Sequence, residues 1–87
     1  MRKLEKTLKA LANKRRLTII KYLKKNREAS VGEIAGAIRL FFRSTSKHLS
    51  VLSAADILEK EQKSTLVFYR LSDSLSQTAR SIISCIK

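Results

Sequence analysis

Along most of the chain the apolar residues recur at helical spacing. Leu4, Leu8 and Leu11 fall at i, i+4 and i+7, one face of a short first helix over 3–12. Asn13 stands where an N-cap is expected. It precedes a second helix in which Leu17, Ile20 and Leu23 share a side, with Ile19 beside them. Lys14, Arg15, Lys21 and Lys25 cover much of the rest of that helix, which ends around Asn26. "SVGE" at Ser30–Glu33 has the pattern of a capping box, in which the serine oxygen accepts from a backbone N–H and the glutamate reaches back. Val31, Ile34, Ala35 and Ile38 then repeat at i, i+3, i+4 and i+7 in a short third helix. A break at Arg39–Phe41 leads into a fourth helix over 42–55, with Thr45, Leu49 and Leu52 on its inner face.

After Asp56 the period changes from helical to alternating. "ILEKEQ" and "TLVFYRL", separated by Lys63 and Ser64, predict a hairpin without the usual Asn-Gly turn. Ser72 or Asp73 is then expected to cap a last helix over 73–86. Its apolar stripe is Leu75, Ala79, Ile82 and Ile86, widened by Thr78 and Ile83. The expected fold is mainly α with a small β-hairpin, in the order α-α-α-α-β-β-α. Helices three and four with their tight link form a helix-turn-helix over about 30–55, and the hairpin over about 57–71 is a wing. The 87 residues make one small domain. A chain this short buries about 60–65% of its unfolded surface, so dimerisation is a common remedy for its marginal core.

Charge adds a direction to this outline. Nineteen Lys and Arg against seven Asp and Glu give +12 and a pI near 10.5. Eleven of the nineteen lie between Arg2 and Arg27, with Glu5 the one acid before Glu28. Such a field attracts polyanions, among them nucleic acid, ribosome and anionic membrane. A lysine-rich solvated surface accounts for the same numbers. The one cysteine, Cys85, allows no internal disulfide and fits a reducing cytoplasm, the expected location. Arg2 and Lys3 start like a signal peptide, but no apolar core follows them, and no stretch approaches the ~20 apolar residues of a membrane span. Paired carboxylates, a Cys–His pair with a third member and a phosphate-cradling glycine loop are all lacking. Enzyme chemistry finds no support, and no cofactor is expected.

The second helix of a helix-turn-helix enters the major groove with its N-terminal residues at the base edges. Here Arg43, Ser46, Lys47 and Ser50 share a polar face, the expected partner being double-stranded DNA. Arg43 can bond guanine O6 and N7 together, and Lys47 can reach a phosphate or a guanine. Phe42 and Ser44 occupy the first turn, where free backbone N–H groups favour phosphate. Lys60 and Lys63 would hold the wing to the backbone or minor groove. The competing readings are an ordinary amphipathic surface helix, a winged-helix module for non-specific nucleic-acid or protein binding, and a basic membrane- or RNA-associated protein. Serine is a mediocre helix former, yet this helix holds Ser44, Ser46, Ser50 and Ser53, and that weighs toward a groove-facing role.

"LKALANKRRLTIIKYL", "VGEIAGAI", "STSKHLSVLSAADIL" and "VFYRLSD" in this order resemble the ArsR-type winged-helix transcription regulators, over about Leu8 to Asp73. The most telling pieces are Leu8-x-x-Leu11-Ala12 with Arg16-Leu17, then Ser46-x-His48-Leu49-x-x-Leu52, then Tyr69-Arg70-Leu71. The resemblance implies a homodimer built by the first and last helices, through Leu4, Leu8 and Leu11 and through Leu75, Ala79, Ile82 and Ile86. It implies two recognition helices on half-sites about 34–36 Å apart, and repression of a promoter released by an effector that the sequence does not identify. The family's base-contacting positions map onto Phe42, Arg43, Ser46 and Lys47.

The departures from the family concern sensing and turns. The family's Cys-x-Cys metal site falls here on Ser30 and Gly32. Its last-helix set of Asp, His and Glu is reduced to Asp73. His48 lies in the recognition helix instead, so no metal site is expected. Arg39 replaces a customary turn glycine and would need a left-handed backbone if the turn keeps the family's conformation. Phe41 replaces a serine cap, which costs about 1 kcal/mol. It could plug the core, and two adjacent aromatics at the mouth of the helix could also contact a thymine methyl; one of Phe41 and Phe42 is expected to be buried rather than to read DNA. Asp56 replaces the glycine before the wing, a change that aspartate tolerates. His48 is expected half-buried and bonded locally, with a phosphate contact as the alternative. Cys85 is expected to act as a small hydrophobe, with a thiol switch paired to its symmetry mate as the alternative. Tyr22, Phe68 and Tyr69 are expected to pack, and Arg70 to find an acid or a phosphate.

Overall fold

The computed structural model describes residues 1–87. Five helices and three strands follow in the order α1 (Arg2–Leu11), α2 (Lys14–Lys25), β1 (Ala29–Ser30), α3 (Val31–Ile38), α4 (Phe42–Ala54), β2 (Leu58–Lys63), β3 (Leu66–Leu71) and α5 (Gln77–Ser84). This is the winged helix-turn-helix order, with one addition. β1 pairs antiparallel with β3, Ala29 opposite Tyr69 and Ser30 opposite Phe68, so the wing is rooted in a three-stranded sheet of order β1-β3-β2. The pairing between β2 and β3 runs from Leu58 opposite Leu71 to Lys63 opposite Leu66.

The starts of the helices follow from local chemistry. Asn13 Oδ1 accepts from the Arg16 amide at 3.1 Å, capping α2. Ser30 Oγ accepts from the Glu33 amide at 3.2 Å while Glu33 Oε1 accepts from the Ser30 amide at 2.8 Å, so the capping box forms. The last helix starts later than the sequence implies. Ser72 and Asp73 do not cap it; the Ser72 hydroxyl and the Asp73 amide both donate to Glu59 Oε2, at 2.9 and 3.1 Å. Ser76 caps α5 instead, accepting from the Ala79 amide at 3.2 Å, and Leu75 lies ahead of the helix.

One core joins these elements. Ile19 and Ile20 of α2, Ile34 of α3, Leu49 and Leu52 of α4, and Ile57 are fully enclosed, with Tyr69 of β3 and Ala79 and Ile83 of α5 around them. Each enclosed aliphatic contributes about 1.5–3 kcal/mol over leaving it in water. Lys24 adds a polar tie: its Nζ donates to the Ile83 carbonyl at 2.9 Å and to the Ile86 carbonyl, ending α5 against α2.

Three residues other than glycine occupy the left-handed region, each at a corner: Arg39 (φ 54°) between α3 and α4, Asp56 (φ 60°) between α4 and β2, and Ser64 (φ 59°) at the hairpin tip. Arg39 takes the left-handed conformation that the family's turn implied for this position. An L-residue here costs roughly 1–2 kcal/mol.

Candidate nucleic-acid interface

The seat of α4 is set by its apolar side. Thr45, Leu49 and Leu52 are buried against the core, and the Thr45 hydroxyl donates to the Phe41 carbonyl at 2.9 Å. The opposite side is thereby turned to solvent. Arg43, Lys47 and Ser50 are exposed along one strip with Val51 and Ala54, while Ser44 and Ser46 are half-buried at its margin. No side chain caps the helix at Phe41, so its first amide N–H groups have no partner within the chain. Free amides, the positive end of the helix and the Arg43 and Lys47 cations all coincide at one end of α4.

The expectation that one of Phe41 and Phe42 fills the core is overturned. Phe41 is 83% exposed and Phe42 61%. The inward positions nearest them are already taken by Thr45 and by Leu40, which packs against the core. Neither ring has a space to enter.

His48 is half-buried, but its partner is distant in sequence. Arg16 Nη1 lies 3.2 Å from His48 Nδ1. A guanidinium only donates, so Nδ1 accepts and the ring proton sits on Nε2. The same guanidinium donates to the Ala10 carbonyl at 2.6 Å and the Lys9 carbonyl at 3.2 Å, tying the end of α1 to the recognition helix. Burial, then the charges of Arg16 and Arg15, push the His48 pKa down from its ordinary range.

In the wing, Lys60 is exposed and has no acidic partner. Lys63 is already engaged: its Nζ donates to Glu28 Oε1 at 2.6 Å and stands 5.2 Å from the centre of the Phe68 ring. Arg70 found acids rather than solvent, bonding Glu59 at 2.8 Å and approaching Glu61 to 3.5 Å. The hydrogen bonds of Ser72 and the Asp73 amide, then Arg70, hold the Glu59 carboxyl below the usual range. Glu28 and Lys63 move apart, Glu28 downward and Lys63 upward, chiefly through their mutual hydrogen bond. Sequence reasoning missed this pairing because its partners lie 35 residues apart.

The residues expected at a dimer surface divide in two. Leu11 and Ala79 are covered within the protomer, as α1 and α5 pack on one another. Leu4 and Leu8 stay 41% and 45% exposed, and Ile82 and Ile86 are half-buried, with Leu75 half-buried before α5. No three of the His, Cys, Asp and Glu side chains converge as metal ligands would, and no helix is long and apolar enough to cross a membrane. Cys85 is exposed, contrary to a small-hydrophobe role, and its Sγ lies 3.3 Å from the Ser81 carbonyl.

No family model matches the chain. Individual relatives do. The transcriptional activator HlyU of Vibrio cholerae is 39% identical over 67 residues, 77% of this chain and 61% of that protein. The arsenical resistance operon repressor of Bacillus subtilis is 33% identical over 73 residues, 84% of this chain and 70% of that one. The chain thus spans about three-fifths of the length of HlyU. Among solved structures, reduced HlyU from V. cholerae superposes with a TM-score of 0.80 at 35% identity, covering 95% of this chain and 83% of that one. The homodimeric winged helix-turn-helix DNA-binding domain of Mb0332 from Mycobacterium bovis gives 0.82 at 26% identity, covering 97% and 74%. With the helix order, the rooted wing and the solvent-facing strip of α4 in place, these likenesses establish that the chain belongs to the ArsR-type winged helix-turn-helix transcription regulators.

Proposed function

We propose that the chain works as a homodimeric, sequence-specific double-stranded DNA-binding regulator in the cytoplasm, acting as one winged-helix unit without a metal. In this reading α4 lies in the major groove and Lys60 approaches the DNA backbone from the wing. Leu4, Leu8, Ile82 and Ile86 meet a second copy. The observation that carries it is the strip of α4. Arg43, Lys47 and Ser50 are turned outward by the buried Thr45, Leu49 and Leu52, at a helix end whose amides are uncapped. An arginine there can discriminate guanine, and short serines let the helix backbone approach the groove. Repression needs nothing beyond occupancy, since a dimer lying across a promoter excludes polymerase.

The test is a binding selection from random duplex DNA, with affinities measured at two salt concentrations. The expected outcome is an inverted repeat with half-sites about 10 base pairs apart. A steep salt dependence with no enriched sequence would leave only counterion release. The chain would then be a non-specific nucleic-acid or protein-interaction module.

A further inference from the structure

Phe41 and Phe42 are consecutive, sit at the entrance of α4, and are 83% and 61% exposed. Neither contributes to the core, and the Phe41 side chain gives up the cap that a serine there would supply. Their surroundings are cationic. Phe41 shares a shallow hollow with Arg15, Arg39 and Leu40, and Arg43 follows Phe42 directly. None of these arginines has a carboxylate within ion-pair distance. A second copy of this chain, itself at +12, is repelled from such a setting. A polyanion is drawn to it, and the occupant must also offer an apolar group to the rings. In the major groove that group is the C5-methyl of thymine.

We propose that Phe41 and Phe42 read the C5-methyl group of a thymine beside the base pair that Arg43 contacts, which makes the aromatic pair a determinant of the DNA site. The proposal rests on the DNA-binding reading above and adds the base class that the aromatics select. Arg43 brings the charge that reads guanine, while Arg15 and Arg39 flank it toward the phosphates. The rings, unable to hydrogen-bond, discriminate by whether a methyl is present.

The experiment replaces each thymine of the selected half-site by deoxyuridine, which deletes the methyl and leaves base pairing intact. Affinities are measured for the wild-type protein and for Phe41→Ala, Phe42→Ala and the double variant. At one thymine per half-site, wild-type affinity should fall about fourfold, the loss expected for one buried methyl. The double variant should bind the thymine and deoxyuridine duplexes equally. Putting 5-methylcytosine, paired with guanine, at that position should bind the wild type better than cytosine does. Because both rings are exposed, the variants should keep the helical content and association state of the wild type. If a site is selected but every deoxyuridine duplex binds the wild type as tightly as its thymine parent, the proposal fails while DNA recognition stands. An equal deoxyuridine penalty in wild type and double variant also overturns it. So does a double variant with unchanged DNA affinity but altered self-association, since the rings would then serve a protein contact. If the double variant does not bind at all, the wild-type scan alone decides. Failure to select any site refutes the underlying DNA-binding reading, and this proposal with it.

Discussion

At the start of α4, Arg39, Arg43 and Lys47 stand without a carboxylate against them, whereas in the hairpin Lys63 is held by one and Arg70 by two. Both regions are basic in sequence, and they use the charge in opposite ways. Around α4 the cations are left to the solvent, because the inward positions are apolar and the adjoining turn contains no acid. In the wing, Glu59 and Glu61 alternate along β2 across from β3, and Glu28 reaches in from the segment before β1. Lys63 and Arg70 are committed to the wing's own geometry, and Lys60 alone of its cations is left to the solvent. A count of lysines and arginines therefore overstates the charge available to a polyanion at the hairpin and not at the helix.

The contrast can be erased outright. Leu49→Ala removes a fully enclosed side chain beneath the strip and should cost about 2–5 kcal/mol of stability, read by chemical denaturation. A variant as stable as wild type would mean that α4 is not seated by its apolar side. The contrast itself is tested by a pair of truncations. Arg43→Ala should weaken binding to the selected site by about 1–3 kcal/mol and relax the preference at one base. Lys63→Ala should leave both affinity and salt dependence close to wild type. Equal losses in the two would put the wing's charge back in play.

A fourth substitution separates stability from binding. Arg39→Gly relieves a left-handed arginine and should raise stability by about 1 kcal/mol, a melting shift of about 4–8 °C for a domain of this size. Losing a cation beside the strip, it should also bind DNA more weakly, so the two measurements move in opposite directions. Glu28→Gln sharpens the comparison from the other side. Releasing Lys63 should steepen the slope of log affinity against log salt by about one. An unchanged slope would show that Lys63 does not reach the DNA even when free.

The smallest effect is one of pH. Folding lowers the His48 pKa through burial and the neighbouring Arg16 and Arg15, so the unfolded chain takes up that proton more readily. The contribution is complete above the unfolded value of 6.5 and is lost as pH falls below it through the folded value. Wild type should lose stability on acidification through this window, and His48→Gln should lose less. Identical pH profiles would remove the Arg16–His48 bond from the account.

The sequence revealed those parts of the fold that close within a few residues. Ser30 and Glu33 cap α3 across one turn and Asn13 caps α2 across one turn, while the left-handed Arg39 followed from the family's customary turn glycine at that position. What escaped was decided at long range. β1 is two residues with no pattern of their own, and they become strand because the edge of β3 offers partners at Phe68 and Tyr69. The start of α5 shifted by a few residues because Glu59, on β2, claimed Ser72 and the Asp73 amide. The face of α4 was legible from its period. The exposure of Phe41 and Phe42 was not, since two aromatics after an aliphatic helix read as core until the inner positions are seen to be full.

The left-handed residues at Arg39, Asp56 and Ser64 carry a mechanical consequence. The chain's two glycines both lie inside α3, so none serves as a joint. A residue with a Cβ has one narrow well in this region and little room to rotate within it. At the corner between α3 and α4, Arg39 is thus a stiff bracket rather than a swivel. Re-aiming α4 against α3 would therefore fall to Phe41, whose extended backbone (φ −60°, ψ 147°) any residue adopts, rather than to Arg39.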